Sequence, residues 1–261
     1  AGLTYKLSPK GNLYFSYSKA QREPNRTDYE NGIPKPEKLD DFELGWRFKT
    51  SNLQAQTNVY WMEYKDQLVL TGAIDEVGAP IRQNVGKSRR VGIELDFKVR
   101  LNSNWLWQPN IAFSSNQNLD FYFNRDGVLK DLGKTQLAYS PKFVGGSAIV
   151  FAPSTGVQIG FLSKYVSRQY MGNIDSENST LDAYFVNDLN AVFTWNPNKW
   201  LSEIQCSFII NNIFNIKYES NGYFYTYDDD FSTPGQVKTI EGTGYFPQAG
   251  INFLTGLSLR F

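Results

Sequence analysis

The chain has 261 residues with 26 basic and 26 acidic side chains, so its formal net charge is zero. No basic excess is available for a nucleic-acid partner, and we expect none. Histidine is absent, and Cys206 is the single cysteine, which excludes an internal disulfide. The commonest general base and metal ligand are therefore missing, and no Gly-rich phosphate loop follows a strand and opens a helix. We expect no catalytic residue, no metal site, no cofactor and hence no enzyme.

Aromatic residues are the compositional anomaly, with 16 Tyr, 19 Phe and 6 Trp among the 261 residues. The mean hydropathy of −0.43 is that of a water-soluble protein. A transmembrane β-barrel gives a similar value, however, because only every second residue of each strand faces lipid. Aromatic enrichment fits the interfacial girdles of such a barrel, but it also fits ordinary β-rich domains.

The elements predicted in chain order are all strands. A partial strand over residues 2–7 precedes ten full strands, which we place near residues 12–20, 39–49, 53–69, 87–101, 104–119, 138–152, 156–170, 183–196, 202–217 and 246–261. The uncharged stretch 143–163 is long enough for a membrane helix, but the turn-forming sequence at residues 152–156 predicts two strands there instead.

Tight turns and long polar stretches alternate along the chain. Turn-like clusters occur at residues 8–12, 49–52, 101–104, 152–156 and 196–199. The longer polar stretches, which we predict to be loops, cover residues 20–38, 71–86, 116–136, 171–182 and 219–244. In an up-and-down β structure this alternation places every tight turn at one end and every long loop at the other. Outer-membrane barrels have this asymmetry, with short periplasmic turns and long extracellular loops.

The strands carry one apolar and one polar face. In residues 245–261 the positions from Ile251 to Phe261 alternate between apolar and mostly polar side chains, and the last residue is aromatic. Aromatic residues also gather near the tight turns, as a membrane belt requires: Phe48, Trp105, Trp107, Phe151, Trp195, Trp200 and Phe261. We predict an all-β, transmembrane, antiparallel up-and-down barrel.

The polar face is unusually rich in charge, which favours a water-filled lumen over a dry interior. By strand parity six charged residues face the lumen: Glu43, Arg47, Glu94, Asp96, Lys98 and Arg100. They would contact a plug domain or pair with one another. A solvent-facing side of a soluble sheet is the alternative explanation of the same pattern.

Several stretches resemble one family, in family order along essentially the whole chain. They are NLYFSYSKAQR from Asn12, PEKLDDFELGWRF from Pro36, VYWMEYKDQLVL from Val59, NVGKSRRVGIEL from Asn84, SFIINNIFNIKY from Ser207 and the terminal GLSLRF. Together these motifs resemble the C-terminal half of the TonB-dependent outer-membrane receptor barrel, in the style of Bacteroidetes iron-complex receptors.

The resemblance implies a 22-stranded barrel that encloses an N-terminal plug and is energised by an inner-membrane TonB complex. Residues 1–261 would then be the C-terminal part of a single barrel domain, with ten or eleven strands. The plug, the TonB box and the first half of the barrel are absent from these residues. Half a barrel has two bare edges, which are costly in lipid. We expect the remaining chain, a second copy or a nonphysiological closure to pair them.

Ligand capture is expected in the loops, because tyrosine rings stack on planar ligands and arginine binds anionic chelates. The predicted ligand-binding residues are Arg22, Arg26, Tyr29, Tyr223, Tyr225 and Tyr227, with Asn25 and Asn31 nearby; solvated loops with packing aromatics are the alternative. The acidic run Asp228 to Asp230 has the oxygens to hold calcium, but such runs more often solvate a loop. The amides of Asn211, Asn212 and Asn215 are expected to bond loop backbone.

The sequence therefore predicts a receptor integral to the bacterial outer membrane, with extracellular loops and periplasmic turns. It would import a ferric siderophore or similar iron complex through TonB. Its expected partners are outer-membrane lipid, its own plug, TonB and a small iron chelate. Import of oligosaccharide or cobalamin by the same fold is an alternative. A passive porin-like or adhesin barrel and a soluble ligand-binding β-protein are two further ones.

Overall fold

The computed structural model describes residues 1–30, 32–75, 78–197 and 200–261. Eleven strands form one continuous antiparallel sheet in it. They are β1 (Gly2–Ser8), β2 (Gly11–Arg22), β3 (Glu37–Lys49), β4 (Leu53–Ile74), β5 (Pro80–Arg100), β6 (Trp105–Arg125), β8 (Phe143–Ser154), β9 (Val157–Val166), β12 (Tyr184–Trp195), β13 (Glu203–Asn211) and β16 (Asn252–Arg260).

The strand order is that of a meander, because each of these eleven strands pairs with the one that follows it in the sheet. The remaining elements lie at one end and are β7 (Val128–Gln136), β10 (Gln169–Tyr170), β11 (Thr180–Leu181), β14 (Glu219–Asp229), β15 (Lys238–Pro247), the short helix α1 (Arg26–Glu30) and a 3-10 turn at Glu177–Ser179. The predicted all-β, up-and-down architecture is confirmed.

Each of the ten full strands and the partial strand predicted from the sequence overlaps one strand of the sheet, in the same order. The predicted strands 138–152 and 246–261 begin five and six residues too early, and the predicted strand 202–217 ends six residues too late. Tight connections at residues 9–10, 50–52, 101–104, 155–156 and 196–202 define the turn end; residues 198 and 199 of the last one lie outside the described part of the chain. All other connections between sheet strands lie at the opposite end, which we call the loop end. The predicted segregation of turns and loops is thus confirmed.

Three stretches predicted as loops are instead extended hairpins. Strands β4 and β5 continue to Ile74 and from Pro80, which fills most of the predicted loop 71–86; its residues 76 and 77 lie outside the described range. Strand β6 runs on to Arg125 and pairs with β7, while β14 and β15 pair over residues 219–247. In these hairpins one face is not consistently apolar and the other polar: in β4, Gln67, Leu68 and Val69 are buried one after another, so the alternation that identifies a strand in sequence is lost.

The two faces of the sheet differ as the sequence predicts. On the outer face one apolar row crosses six strands, because Phe15, Leu44, Val59, Ile93, Phe113 and Phe143 are paired successively. Phe193 and Phe253, which lie on the same face of later strands, are 43% and 65% exposed. A continuous exposed apolar surface of this extent is typical of a membrane-facing wall.

The inner face, defined by Glu94, Asp96, Lys98 and Arg100, is concave. A space of about 600 Å³ opens on it, with Lys6, Arg47, Asp96 and Lys98 among its lining residues. The sheet is open, since β1 pairs only with β2 and β16 only with β13 among the described residues. No helix in the described ranges has the length and apolar character needed to cross a membrane.

Candidate ligand and lumen surfaces

The loop end of the sheet carries a small core that covers the inner face. Ser88 lies on the same face of β5 as Glu94 and is fully buried, as is Asn118, its partner on β6. Asn118 contacts Asn173 of the segment between β10 and the 3-10 turn. A hydrophobic cluster completes this core, with members Val69, Val85, Phe121, Phe123, Leu137 and Ile174. The loops therefore fold onto a packed platform.

The β14–β15 hairpin docks on this platform through one of its faces. Phe224 packs against the hydrophobic cluster, and a Cβ on Gly172 would lie 2.6 Å from its ring. Thr226 is buried and pairs in parallel with Ala73 at the tip of β4. The Tyr139 hydroxyl donates to the carbonyl of Gly222 over 2.9 Å. The opposite face of the hairpin therefore points away from the sheet wall.

A polar network around Glu241 joins three loop segments. The Arg125 guanidinium of β6 contacts one carboxylate oxygen of Glu241 at 2.6 Å. The Ser176 hydroxyl and the Asn178 amide donate to the other oxygen over 2.5 and 2.9 Å. Burial raises the pKa of Glu241, but these hydrogen bonds outweigh it and hold the pKa below its ordinary value of 4.5.

We expect Glu241→Gln to loosen this network, because the neutral amide loses the charge-assisted bond from Arg125. A charged hydrogen bond contributes about 1.5–3 kcal/mol, so amide hydrogens near residues 176–178 and 238–241 should exchange about 30-fold faster. A depressed folded-state pKa stabilises the loops above pH 4.5, and the stability is lost as the pH falls through the folded-state value. Hydrogen exchange at pH 7 and pH 4 measures both effects.

Glu203→Gln is the matched control, because Glu203 pairs at 3.8 Å with Arg260 at the turn end, far along the sheet from the loops. That substitution should leave exchange at residues 176–178 and 238–241 unchanged. Equal acceleration in the two variants, or no acceleration in Glu241→Gln, would show that the Glu241 network does not hold the loops together.

The exposed face of the hairpin is a tyrosine ladder, which we define as Tyr223, Tyr225 and Tyr227. The ring centroids of Tyr223 and Tyr225 are 6.3 Å apart and those of Tyr225 and Tyr227 are 6.5 Å apart, with interplanar angles of 23° and 19°. Tyr223 and Tyr227 are 49% and 43% exposed. Three nearly parallel rings in one row present a flat aromatic surface.

Two glycines on β15 make room for the ladder. Gly244 is paired with Tyr223 and Gly242 with Tyr225, and each ring lies across the glycine opposite it. A Cβ on Gly244 would lie 2.3 Å from the Tyr223 ring, and one on Gly242 would lie 2.4 Å from the Tyr225 ring. Any larger residue there would force the rings out of their row. The sequence alone does not assign these two glycines to the site.

The other predicted ligand residues lie at the end of β2 and in the segment between β2 and β3. Arg22 pairs at 2.6 Å with Glu37, a buried carboxylate that also accepts the Leu68 N–H. Arg22 therefore compensates a buried charge, and a role in ligand binding stays a prediction for it.

Helix α1 begins at Arg26 and carries Tyr29, which is 51% exposed. Its Asp28 is buried and pairs at 2.9 Å with Arg82 of β5. No ring contact among the described residues joins Tyr29 to the tyrosine ladder. Asn31 lies outside the described residues. The structure thus brings the three predicted tyrosines of the last hairpin together, but it does not unite them with Tyr29.

None of the six predicted lumen residues takes part in an ion pair within the described ranges. Glu43 accepts a hydrogen bond from Ser16 at 3.1 Å, and the Arg47 guanidinium lies 4.6 Å from the centre of the Tyr14 ring. Glu94, Asp96, Lys98 and Arg100 are exposed on the inner face of β5. Mutual pairing, one of the two expectations from the sequence, is therefore absent from this part of the chain, and these charges stay available to another partner.

The protein-family model described as "TonB dependent receptor-like, beta-barrel" matches residues 1–216 of the chain. The chain belongs to this family. The family is one of receptors and transporters, and its barrel accounts for the meander, the lipid-type outer face and the charged inner face.

Two curated members of the receptor family illustrate the relationship. The pesticin receptor of Yersinia enterocolitica is 24% identical over 189 residues, which cover 72% of this chain and 26% of that receptor. An uncharacterized TonB-dependent receptor of Haemophilus influenzae is 27% identical over 132 residues, covering 50% of this chain and 37% of that protein. The chain thus spans well under half the length of these relatives.

Solved structures of the receptor family share the fold at low identity. The siderophore receptor PiuA from Acinetobacter baumannii matches with a TM-score of 0.66 and 17% identity, covering 98% of this chain and 35% of that one. The ferric yersiniabactin uptake receptor FyuA from Yersinia pestis gives 0.62 and 16%, covering 100% and 37%. The copper transporter OprC gives 0.73 and 18%, covering 98% and 38%.

Proposed function

We propose that residues 1–261 form the C-terminal part of a 22-stranded outer-membrane receptor that imports an iron chelate with energy from TonB. The single observation that carries the proposal is the family match over residues 1–216 on an eleven-stranded sheet with a lipid-type outer face. The chain covers 35–38% of the length of PiuA, FyuA and OprC. About half a barrel would cover such a share of a receptor whose full length also includes a plug.

The inner face suits a plug domain. A passive pore would present charges to water, and a receptor presents them to the polar surface of its plug. The unpaired Arg47, Glu94, Asp96 and Lys98 border a concave space of about 600 Å³ and a smaller one of about 260 Å³. In the proposed receptor these groups contact oppositely charged groups of the plug. They provide many weak, reversible contacts, from which a plug can be displaced during transport.

The loop end suits a planar, anionic or aromatic chelate. The tyrosine ladder offers a rigid stacking surface, and the platform beneath it fixes its position. An iron chelate is proposed because two of the solved neighbours are described as a siderophore receptor and a ferric yersiniabactin uptake receptor. A copper complex is the second candidate, because another neighbour is described as a copper transporter. In this proposal the loop end is extracellular and the turn end periplasmic.

Uptake by the complete receptor tests the function. The receptor is expressed in a Gram-negative host that lacks its own chelate receptors, and radiolabelled iron is supplied as catecholate, hydroxamate and phenolate complexes, with a copper complex in parallel. We expect accumulation of one iron complex that disappears when TonB is deleted. Accumulation that persists without TonB would support a passive barrel. Accumulation of copper alone would show that the substrate is a copper complex and not an iron chelate.

A further inference from the structure

Three lysines stand side by side on the outer face of the sheet near the loop end. Lys65 of β4 is paired with Lys38 of β3 on one side and with Lys87 of β5 on the other. We call these three residues the lysine row. All three are exposed, and none has an ion pair or a side-chain hydrogen bond within the described residues. Like charges directly opposite one another on neighbouring strands are destabilising, so the lysine row needs a counter-charge, and no ion pair within the described residues supplies one.

The neighbouring acidic groups are already neutralised. In the next row on the same face, Asp40 is 3.8 Å from Lys19 and accepts the Tyr17 hydroxyl, while Glu63 pairs with Arg89 at 2.6 Å. These two acids and two bases cancel, which leaves the three positive charges of the lysine row uncompensated. Strands lie about 4.8 Å apart, so the flexible lysine stems converge on the same small volume.

The position of the row along the strands matches a membrane boundary. Phe48, Ala55 and Phe97 form a paired row on the outer face near the turn end. The lysine row lies ten residues from it on each of the three strands, which is about 33 Å along a strand. A tilt of about 40° converts this to about 25 Å along the membrane normal, the height of the apolar band of an outer-membrane barrel.

Aromatic residues mark the same level just below the row. The Trp61 indole donates to Glu63 over 2.8 Å, and the Arg89 guanidinium lies 4.5 Å from the Trp61 ring centre. Phe42 is the cross-strand partner of Trp61, and it packs on Tyr17 with centroids 4.8 Å apart. Tryptophan and tyrosine concentrate at the headgroup level of a bilayer, so the lysine row lies where lipid phosphates are found.

We propose that Lys38, Lys65 and Lys87 form a binding site for the phosphate groups of an anionic glycolipid in the outer leaflet. The lipid headgroup supplies the missing negative charge, and its acyl chains cover the apolar row that includes Leu44, Val59 and Ile93. The site rests on the outer-membrane placement proposed above. It lies on the outside of the wall and is separate from the tyrosine ladder and the lumen.

Lipid retention by the complete receptor tests the site. The receptor is purified in a neutral detergent doped with a bisphosphorylated glucosamine-disaccharide lipid, and bound lipid is counted by mass spectrometry. Each lysine at an anionic surface strengthens binding roughly fivefold, so the triple variant Lys38→Gln, Lys65→Gln, Lys87→Gln should bind the lipid at least tenfold more weakly. Lys→Arg at the same positions should restore binding.

The matched control removes three other exposed lysines, Lys10, Lys49 and Lys134, and should retain the lipid fully. Equal retention in the glutamine triple variant and the parent overturns the site. Displacement of the lipid by 10 mM inorganic phosphate would identify a free-anion site and overturns the lipid assignment. Failure of the parent receptor to insert into vesicles would overturn the membrane placement itself, whereas normal insertion without selective retention rejects only the lysine site.

Discussion

Replacing Tyr223, Tyr225 and Tyr227 together by alanine is expected to weaken binding of the chelate proposed as the substrate about 100-fold. The rings form a row with centroid spacings of 6.3 and 6.5 Å, and they rest on a hairpin fixed by the loop platform. Aromatic contacts contribute about 0.5–1.5 kcal/mol each beyond the area they cover, so three contribute about 3 kcal/mol, or two orders of magnitude in affinity. Titration of the complete receptor with the complex identified by uptake measures this loss.

Two matched variants separate ring stacking from other effects. The triple Tyr→Phe variant keeps the aromatic row and should bind within about threefold of the parent. Tyr245 is 46% exposed and is paired with Gly222, so it lies on the other face of the hairpin from the ladder. Tyr245→Ala should therefore change the affinity for the ligand little. If the phenylalanine variant binds as weakly as the alanine variant, the hydroxyls rather than the rings recognise the ligand. If neither variant binds more weakly, the ladder is not the ligand surface.

The eleven sheet strands could be predicted because most of them carry apolar side chains on one face and polar side chains on the other. In β5 the residues from Val91 to Arg100 alternate without interruption, and the pairing to β4 and β6 keeps that parity across the sheet. A one-residue slip would turn Ile93 into the lumen and Glu94 into the apolar face, so the pattern permits a single register. The turn and loop ends follow from the same pattern.

The extension of β4 beyond residue 69 could not be predicted for the opposite reason. Beyond Asp66, which has φ of 56°, the alternation of β4 breaks and Gln67, Leu68 and Val69 are all buried. Burial there depends on contacts with distant segments, such as Asn173 donating to the Leu70 carbonyl over 2.8 Å. No local sequence pattern indicates a contact between residues so far apart in the chain, so the sequence predicts a loop here.

The tyrosine ladder was partly visible in the sequence. Its three tyrosines alternate along residues 223–227, and two glycines alternate along residues 242–244. An aromatic residue lying across a cross-strand glycine is a recurring sheet device, so the two patterns together would have predicted the hairpin. The ion pair of Arg22 with buried Glu37 could not be predicted, because only the fold brings the two residues together; a role of Arg22 in ligand binding stays a prediction.

Asn212→Leu is expected to have the largest effect on stability, about 4 kcal/mol. Asn212 is 3% exposed and has φ of 51°, a conformation that asparagine tolerates and leucine resists. Its amide donates to the carbonyls of Ile216 and Ala249 over 2.8 and 3.2 Å and accepts the Ile216 N–H over 2.9 Å. These bonds confirm that the amide holds loop backbone, and each buried bond contributes about 1 kcal/mol.

Asn212→Asp separates the donors from the backbone conformation. Aspartate also tolerates positive φ and keeps the oxygen that accepts the Ile216 N–H, but it offers no N–H to the carbonyls of Ile216 and Ala249. We expect a loss of about 2 kcal/mol, between the parent and the leucine variant. The readouts are the urea midpoint of the complete receptor in vesicles and the fraction that migrates as folded barrel without heating.

The control for the leucine substitution is Asn124→Leu, because Asn124 is exposed on β6 and makes no side-chain hydrogen bond within the described residues. It should change the midpoint little. Were Asn212→Leu as stable as this control, the amide bonds would contribute nothing to the junction. Since Asn212 connects the end of β13 to the residues just before β16, its loss should also free the last strand. In the proposed receptor that strand is the edge on which the rest of the barrel closes, so a frayed β16 would prevent closure and not only weaken a loop.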